Sequence, residues 1–126
     1  DYGTDTVSAG SLAPTNFFRI GQACVITEVS TVTSISGWLT SNGANAITIA
    51  IVKITPAVGV TTNVVPIVVD EVALTGLNNN NKGVRVNETT ITTPALAAGD
   101  IIIPMVKEAS GGSSIYMNIT VQTTTF

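Results

Sequence analysis

The abundance of β-branched residues is the feature that most constrains this fold. Thr, Val and Ile together account for about two residues in five of the 126-residue chain. These side chains lose χ1 freedom in a helix and pack well on the pleated surface of a sheet. The composition therefore predicts an all-β fold.

Segments of strand composition recur along the chain, separated by Gly, Pro and Asn. The predicted strands are 17–20, 23–27, 29–40, 46–54, 64–74, 84–90, 101–107 and 114–122. About eight strands in a chain of this size predict a two-sheet antiparallel jelly roll, with an immunoglobulin-type sandwich as the alternative. Residues 1–14 are small and polar, so we interpret them as an arm or first edge strand ahead of one jelly-roll domain at 15–126.

The low charge of the chain predicts a surface that is partly covered by subunits. Charged residues make up 10% of the sequence, against about 25% in typical soluble domains. Residues 64–69 and 101–106 are apolar at consecutive positions, so both faces of these strands should be buried. In a two-layer sandwich, another subunit is the simplest cover. The predicted subunit interface comprises Val65, Ile67, Ile101, Ile103 and Met105.

The residues that most enzymes need are missing from the sequence. There is no His, which removes the commonest general base and most catalytic zinc sites. Asp70 and Glu71 are the only adjacent carboxylates, and neighbours on a strand point to opposite faces. No phosphate-binding loop or dinucleotide fingerprint is present. We therefore predict a protein that is not an enzyme and has no cofactor or metal.

The charge distribution and the hydropathy predict that neither nucleic acid nor membrane is a partner. The net charge is −3 and the five basic residues are scattered along the chain, so no patch could neutralise a phosphate backbone. The longest apolar run, 46–52, is too short to span a bilayer.

Several single residues carry local expectations. Cys24, the only cysteine, should be a buried small hydrophobe. Gly37 within a strand indicates a bulge or a close backbone approach, and the neighbouring Trp38 should belong to the core. Asn42-Gly43 is typical of a tight hairpin turn. The residues of a possible sugar- or receptor-binding loop are Asn42, Asn45, Asn79 and Asn80.

The segment Leu96-Ala97-Ala98-Gly99-Asp100, followed by the apolar run 101–103, resembles the end of trimeric jelly rolls of the tumour-necrosis-factor and complement C1q type. Gly99 would supply the bend, and the Asp100 carboxylate would accept from nearby backbone N–H groups and launch the strand. The whole chain, rich in Thr, Val and Ile and poor in charge, also resembles small jelly-roll virion proteins of tailed bacteriophages. This resemblance implies a homotrimer located in the virion.

The resemblance predicts a structural role, in which the protein stabilises a phage head as a decoration, or cement, protein. Its partners would be copies of itself and the major capsid protein or another virion protein. The residues expected to contact the capsid are Asp1, Tyr2, Val7 and Leu12 in the N-terminal arm. The alternative is a fibre tip that binds a receptor or a host-surface glycan, and a third possibility is a bacterial surface or matrix protein.

Overall fold

A computed structural model of the chain describes residues 19–20, 22–41, 46–61, 64–75, 82–108 and 115–125. Within these residues the secondary structure consists of β-strands, and no helix is present. The strands are β1 (Arg19–Ile20), β2 (Cys24–Val25), β3 (Ser30–Ser41), β4 (Ala46–Ile54), β5 (Ile67–Thr75), β6 (Lys82–Glu88), β7 (Ala95–Leu96), β8 (Ile101–Glu108) and β9 (Ile115–Thr125). The all-β prediction is confirmed.

The strands pair in antiparallel ladders that together form two sheets. β4 pairs with β5, β3 pairs with β6 and β7, and β8 pairs with β1 and β2. Two further ladders, β4 with β8 and β3 with β9, join these pairs into two sheets. The larger sheet holds β1, β2, β8, β4 and β5, and the smaller sheet holds β6, β7, β3 and β9. This pairing forms an antiparallel two-sheet β-sandwich, as predicted from the sequence.

The core lies between the two sheets. Ile47, Ile49 and Ile51 alternate along β4 and are fully buried, as their spacing predicts. They pack against Leu39, Val86 and Met117 at one end of the sandwich and against Val32, Ile35 and Leu96 at the other. Burying each of these aliphatic side chains contributes about 1.5–3 kcal/mol. The inward positions of β9 contribute Met117, Ile119 and Val121, as the alternation in 114–122 indicates.

The outer face of the larger sheet is also buried at its centre. Its members, which we call the apolar outer face, are Ala50, Val52, Ile103 and Met105, each at most 5% exposed. The partly buried apolar residues packed on them, Ile54, Val68 and Ile101, lie on the same sheet. The prediction that both faces of 101–106 are covered is therefore confirmed. This burial is present in a single chain, so it does not require another subunit.

In residues 64–69, by contrast, the second face is not covered within the single chain. Val65 is 76% exposed and Ile67 is 45% exposed in the single chain. The reason is that β5 begins only at Ile67, so Val65 lies in the link between β4 and β5, ahead of the sheet. β5 itself pairs only with β4 among the described strands, and its ladder is bulged between Ile51 and Val52. An edge position and a bulge are the expected setting for a strand that Pro66 precedes.

Pro104, in contrast, lies within a strand that has neighbours on both sides. β8 pairs with β4 along its whole length, and on its other side with β1 at 105–106 and with β2 at 101–102. Pro104 falls opposite the break between β1 and β2, where a strand donor is not needed.

Two local expectations are wrong. The hairpin predicted at Asn42-Gly43 is not formed by β3 and β4, because these strands belong to different sheets and bury their apolar faces in the core from opposite sides; residues 42–45 themselves lie outside the described residues. Instead, β4 pairs with β5, the strand that follows it in the chain. Cys24 is exposed rather than buried, because β2 is a two-residue strand at the rim of the larger sheet.

Candidate functional site

The outer face of the smaller sheet carries exposed aromatic and polar side chains in neighbouring rows. β3 runs between β6 and β9, and Trp38 pairs with Arg85 on one side and with Asn118 on the other. In the adjacent rows, Thr40 pairs with Tyr116, and Ser36 pairs with Asn87. We call this surface the aromatic face and define it by Trp38, Arg85, Asn87, Tyr116 and Asn118. Directly opposed residues in a ladder have Cβ atoms about 4.5–5.5 Å apart, so these side chains can contact one ligand together.

Trp38 is on this face and not in the core, so the expectation for it is wrong. It is 46% exposed, and Tyr116 is 66% exposed. The alternation of β3 explains the position, because Leu39 and Ile35 point inwards and the residue next to Leu39 must point outwards. Both large side chains are therefore accessible on the same face of the smaller sheet.

Gly37, next to Trp38 in β3, lies close to the backbone of β9. Its φ is +148°, and a Cβ built there would lie 1.9 Å from the backbone oxygen of Asn118. Only glycine lets β9 approach β3 this closely, which confirms the close approach expected from a glycine within a strand. Glycine is therefore needed at position 37, where β3 pairs with the strand that carries Tyr116 and Asn118.

An open groove of about 600 Å³ runs over Trp38 towards β6. Its lining residues are Ser36, Gly37, Trp38, Arg85, Val86 and Asn87. The volume falls within the range of ligand sites, about 300–1,000 Å³. In the described part of the chain, Trp38, Arg85, Asn87, Tyr116 and Asn118 make no side-chain hydrogen bond or ion pair. Within the described structure, a ligand would therefore not compete with another side chain for their donors and acceptors.

A second notable surface lies at one end of the sandwich. It contains the end of β2, the start of β3, the link from β4 to β5 and the start of β5. Six exposed apolar side chains of the described residues lie on or beside these segments: Val25, Val29, Val58, Val60, Val65 and Ile67. We call this surface the valine end. It includes two of the predicted interface residues, Val65 and Ile67, and borders a third, Ile101, which is partly buried.

The other two predicted interface residues, Ile103 and Met105, lie in the apolar outer face and are covered within the chain. The predicted capsid contacts Asp1, Tyr2, Val7 and Leu12 and the predicted loop residues Asn42, Asn45, Asn79 and Asn80 lie outside the described residues. The strand ends on either side of those loops do meet. Ser41 pairs with Lys82, and Ala46 pairs with Thr75, at the end of the sandwich opposite the valine end.

The Leu96–Asp100 turn has a structural role, as its sequence predicts. Gly99 has a φ of +93°, and the Asp100 carboxylate accepts from the Ala97 backbone N–H at 2.8 Å and from the Thr55 hydroxyl at 2.6 Å. The Lys53 ammonium lies 4.0 Å from this carboxylate. These partners offset the cost of burying the charge. The turn thereby ties the start of β8 to the end of β4.

Asp70 and Thr92 form a smaller polar contact at the bulge in β5. The Thr92 hydroxyl donates to Oδ1 of Asp70 at 3.0 Å, while Oδ2 of the same carboxylate is buried without a partner. In the described part of the chain, no three metal-ligating side chains are close enough to hold an ion. The described residues also contain no helix of the length and hydropathy needed to cross a membrane.

Comparison with protein-family models, with curated proteins and with solved structures finds no match to this chain. The described strands define an all-β two-sheet sandwich, and its two notable surfaces are the valine end and the aromatic face. Sequence reasoning overlooked the aromatic face because it assigned Trp38 to the core. The signal that could have found it is the parity of β3, in which Trp38 alternates with Leu39 and shares its outward register with Ser36 and Thr40.

Proposed function

We propose that the chain is a structural virion module, a capsid decoration protein that assembles into a homotrimer and stabilises a phage head. The observation that carries this proposal is the valine end, where six apolar side chains are exposed on segments at one end of the sandwich. Soluble monomers rarely expose contiguous apolar patches, and large ones mark contact surfaces. The low charge of the chain supports the same conclusion, because the core of a protein–protein interface is depleted of charged residues.

The trimeric state rests on the resemblance of the Leu96–Asp100 turn to trimeric jelly rolls. Its apolar contact would centre on Val65 and Ile67, with Val58 and Val60 beside them. β5 pairs only with β4 among the described strands, and a neighbouring subunit would cover its other edge. Capsid attachment is assigned to the arm at residues 1–14, which is poor in charge and can order on binding at an entropic cost.

Two changes separate these roles. Replacing Val65 with Asp places a charge in the proposed subunit contact, and we expect the trimer to dissociate into monomers in light scattering after size exclusion. The matched control is Thr120→Asp, which adds the same charge at an exposed position of β9 and should leave the trimer intact.

Deleting residues 1–14 should abolish binding to capsids and preserve the trimer. Retained capsid binding by the deletion variant would refute the role of the arm.

A second candidate function is a receptor- or glycan-binding fibre tip. It is favoured by the meeting of the strand ends that flank 42–45 and 76–81 at one end of the sandwich. Saturable binding on a glycan array that is lost on replacing both Asn79 and Asn80 with Ala would support it. Binding that survives this double replacement would exclude these loops as the contact surface.

A further inference from the structure

We propose that the aromatic face binds an acidic oligosaccharide, one whose sugars carry carboxylates. This site goes beyond the structural role proposed above, and it uses none of the residues of the valine end, the arm or the asparagine loops. It would give an assembled shell many copies of a weak glycan site.

The aromatic rings supply the stacking surface. Trp38 and Tyr116 lie on adjacent strands in neighbouring rows of the same face, and both are substantially exposed. Such diagonal neighbours are about 7–8 Å apart, so they can contact successive rings of one chain. The C–H faces of a sugar ring are apolar, and Trp and Tyr offer a large rigid apolar surface together with a polar group at the rim.

Amide side chains supply the hydrogen bonds. Asn118 pairs with Trp38 on the β9 side, and Asn87 lines the groove on the β6 side. Each amide offers two donors and an acceptor, which suits hydroxyl groups that both donate and accept. In the described part of the chain these amides have no side-chain partner, so a ligand would not have to displace an internal bond.

Arg85 determines the charge of the ligand. Among the outward positions of β3, β6 and β9 on this face, Arg85 is the only charged residue, and no carboxylate accompanies it. Its guanidinium carries no ion pair or hydrogen bond within the described structure. A guanidinium recognises a carboxylate through two parallel N–H···O bonds. A single unpaired cation beside a stacking tryptophan therefore favours an acidic sugar over a neutral one.

The other occupants fit less well. A nucleic acid would place several phosphates along the face, and one arginine on a chain of net charge −3 cannot neutralise them. A second copy of this chain would bury Ser36, Thr40, Asn87, Asn118 and Thr120, whose hydroxyls and amides would all need partners. Both occupants remain as outcomes of the test.

Trp38 is the only tryptophan, so its fluorescence reports on the site directly. The intact protein is titrated with hexagalacturonate and with its methyl ester, in which an uncharged ester replaces each carboxylate. Sialyllactose and lactose form a second pair that distinguishes a terminal acidic sugar from a uronate chain. We expect a saturable change in Trp38 emission with an acidic ligand, and an affinity for its neutral counterpart that is weaker by about tenfold or more, since hydrogen bonds to charged groups are the stronger ones.

Substitutions then assign the contacts, with affinities measured by calorimetry. Arg85→Gln should weaken acidic-ligand binding about tenfold or more, while Arg85→Lys should retain part of it. Lys82→Gln on the same strand makes the same change in net charge and should have no effect. Trp38→Ala should abolish binding, and Tyr116→Ala, at a more exposed position, keeps the test valid if the tryptophan variant does not fold.

Three results would overturn the proposal. The first is the absence of any acidic-sugar binding, and the second is equal binding of the acid and its methyl ester. The third is a loss of affinity in Lys82→Gln as large as in Arg85→Gln, which would indicate attraction by the overall charge. Tighter binding of single-stranded oligothymidylate would assign the face to nucleic acid instead. Self-association that Trp38→Ala removes would assign it to a second copy.

Discussion

The two sheets of this sandwich present outer faces of opposite character. On the larger sheet, Val52 and Met105 are fully buried and belong to a cluster without polar side chains. On the smaller sheet, Trp38 and Tyr116 are exposed among amides and an arginine that has no ion pair within the described residues. Both faces belong to strands that bury their inner side in the same core. Because the two sheets share one core, the difference lies in their outward-facing residues. These residues determine whether an outer face is buried or is available to a ligand.

The comparison predicts that the same type of substitution has very different costs on the two faces. Met105→Asp places an ionised carboxylate at a position with 0% exposure, which costs several kcal/mol, on the order of 5. Because domains of this kind are stable by about 5–15 kcal/mol, the variant should lose at least about a third of its free energy of unfolding. Circular dichroism during urea denaturation measures the effect.

The matched change on the other face is Asn118→Asp, which should alter the free energy of unfolding by less than about 0.5 kcal/mol. Equal destabilisation by the two substitutions would contradict the assignment of the two faces. A stable, folded Met105→Asp variant would show that the apolar outer face is accessible to water.

Gly37 tests the packing beneath the aromatic face. Gly37→Ala introduces a Cβ that would collide with the Asn118 backbone oxygen at a φ that disfavours side chains, so it should destabilise by about 2–4 kcal/mol. Gly59→Ala is the control, because its φ of +69° is also positive but no atom lies within 4 Å. It should cost only about 1 kcal/mol. If both changes have the same cost, the close approach of β3 and β9 is not what requires glycine.

Substitution of Asp100, in the turn before β8, should lower the free energy of unfolding by less than Gly37→Ala does. Asp100→Ala removes the acceptor for the Ala97 N–H and the Thr55 hydroxyl, which should cost about 1–3 kcal/mol. Asp100→Asn keeps one acceptor oxygen and should cost less. Thermal unfolding of the two variants checks this order. An Asp100→Ala variant as stable as the unsubstituted protein would show that the turn does not stabilise the fold.

Tyr116→Ala should have the smallest effect on stability. The side chain is exposed and lies on the outward register of β9, so its removal should change the free energy of unfolding by less than about 0.5 kcal/mol. The same variant should weaken binding of acidic sugar at the aromatic face. A large loss of stability would mean that Tyr116 packs against the protein, and the surface would then be structural.

Much of the fold could be predicted from local patterns. The alternation in β4 and β9 predicted which residues face the core, and the Leu96–Asp100 segment predicted its own turn. The errors concern where strands go in space. Asn42-Gly43 is a good hairpin sequence, but β3 and β4 belong to different sheets, and that pairing depends on the whole chain. The short strand β7 was not predicted, because two residues carry no periodicity.

The functional surfaces were harder to predict for the same reason. Val65 and Met105 have the same apolar character in the sequence, yet Val65 is exposed and Met105 is buried. Exposure depends on where β5 begins and on what covers the larger sheet, and neither is a property of a short segment. Trp38 was assigned to the core from its residue type, although the parity of β3 places it outside.

The central claim is that the exposed valine end holds copies of this chain together, and the most direct test is the solution mass. Light scattering after size exclusion, at low and high salt, should give three times the chain mass of 12.9 kDa. The mass should not fall at high salt, because apolar contacts are not screened. A monodisperse monomer at micromolar concentration would contradict the claim, and the exposed valines would then have to be explained without self-association.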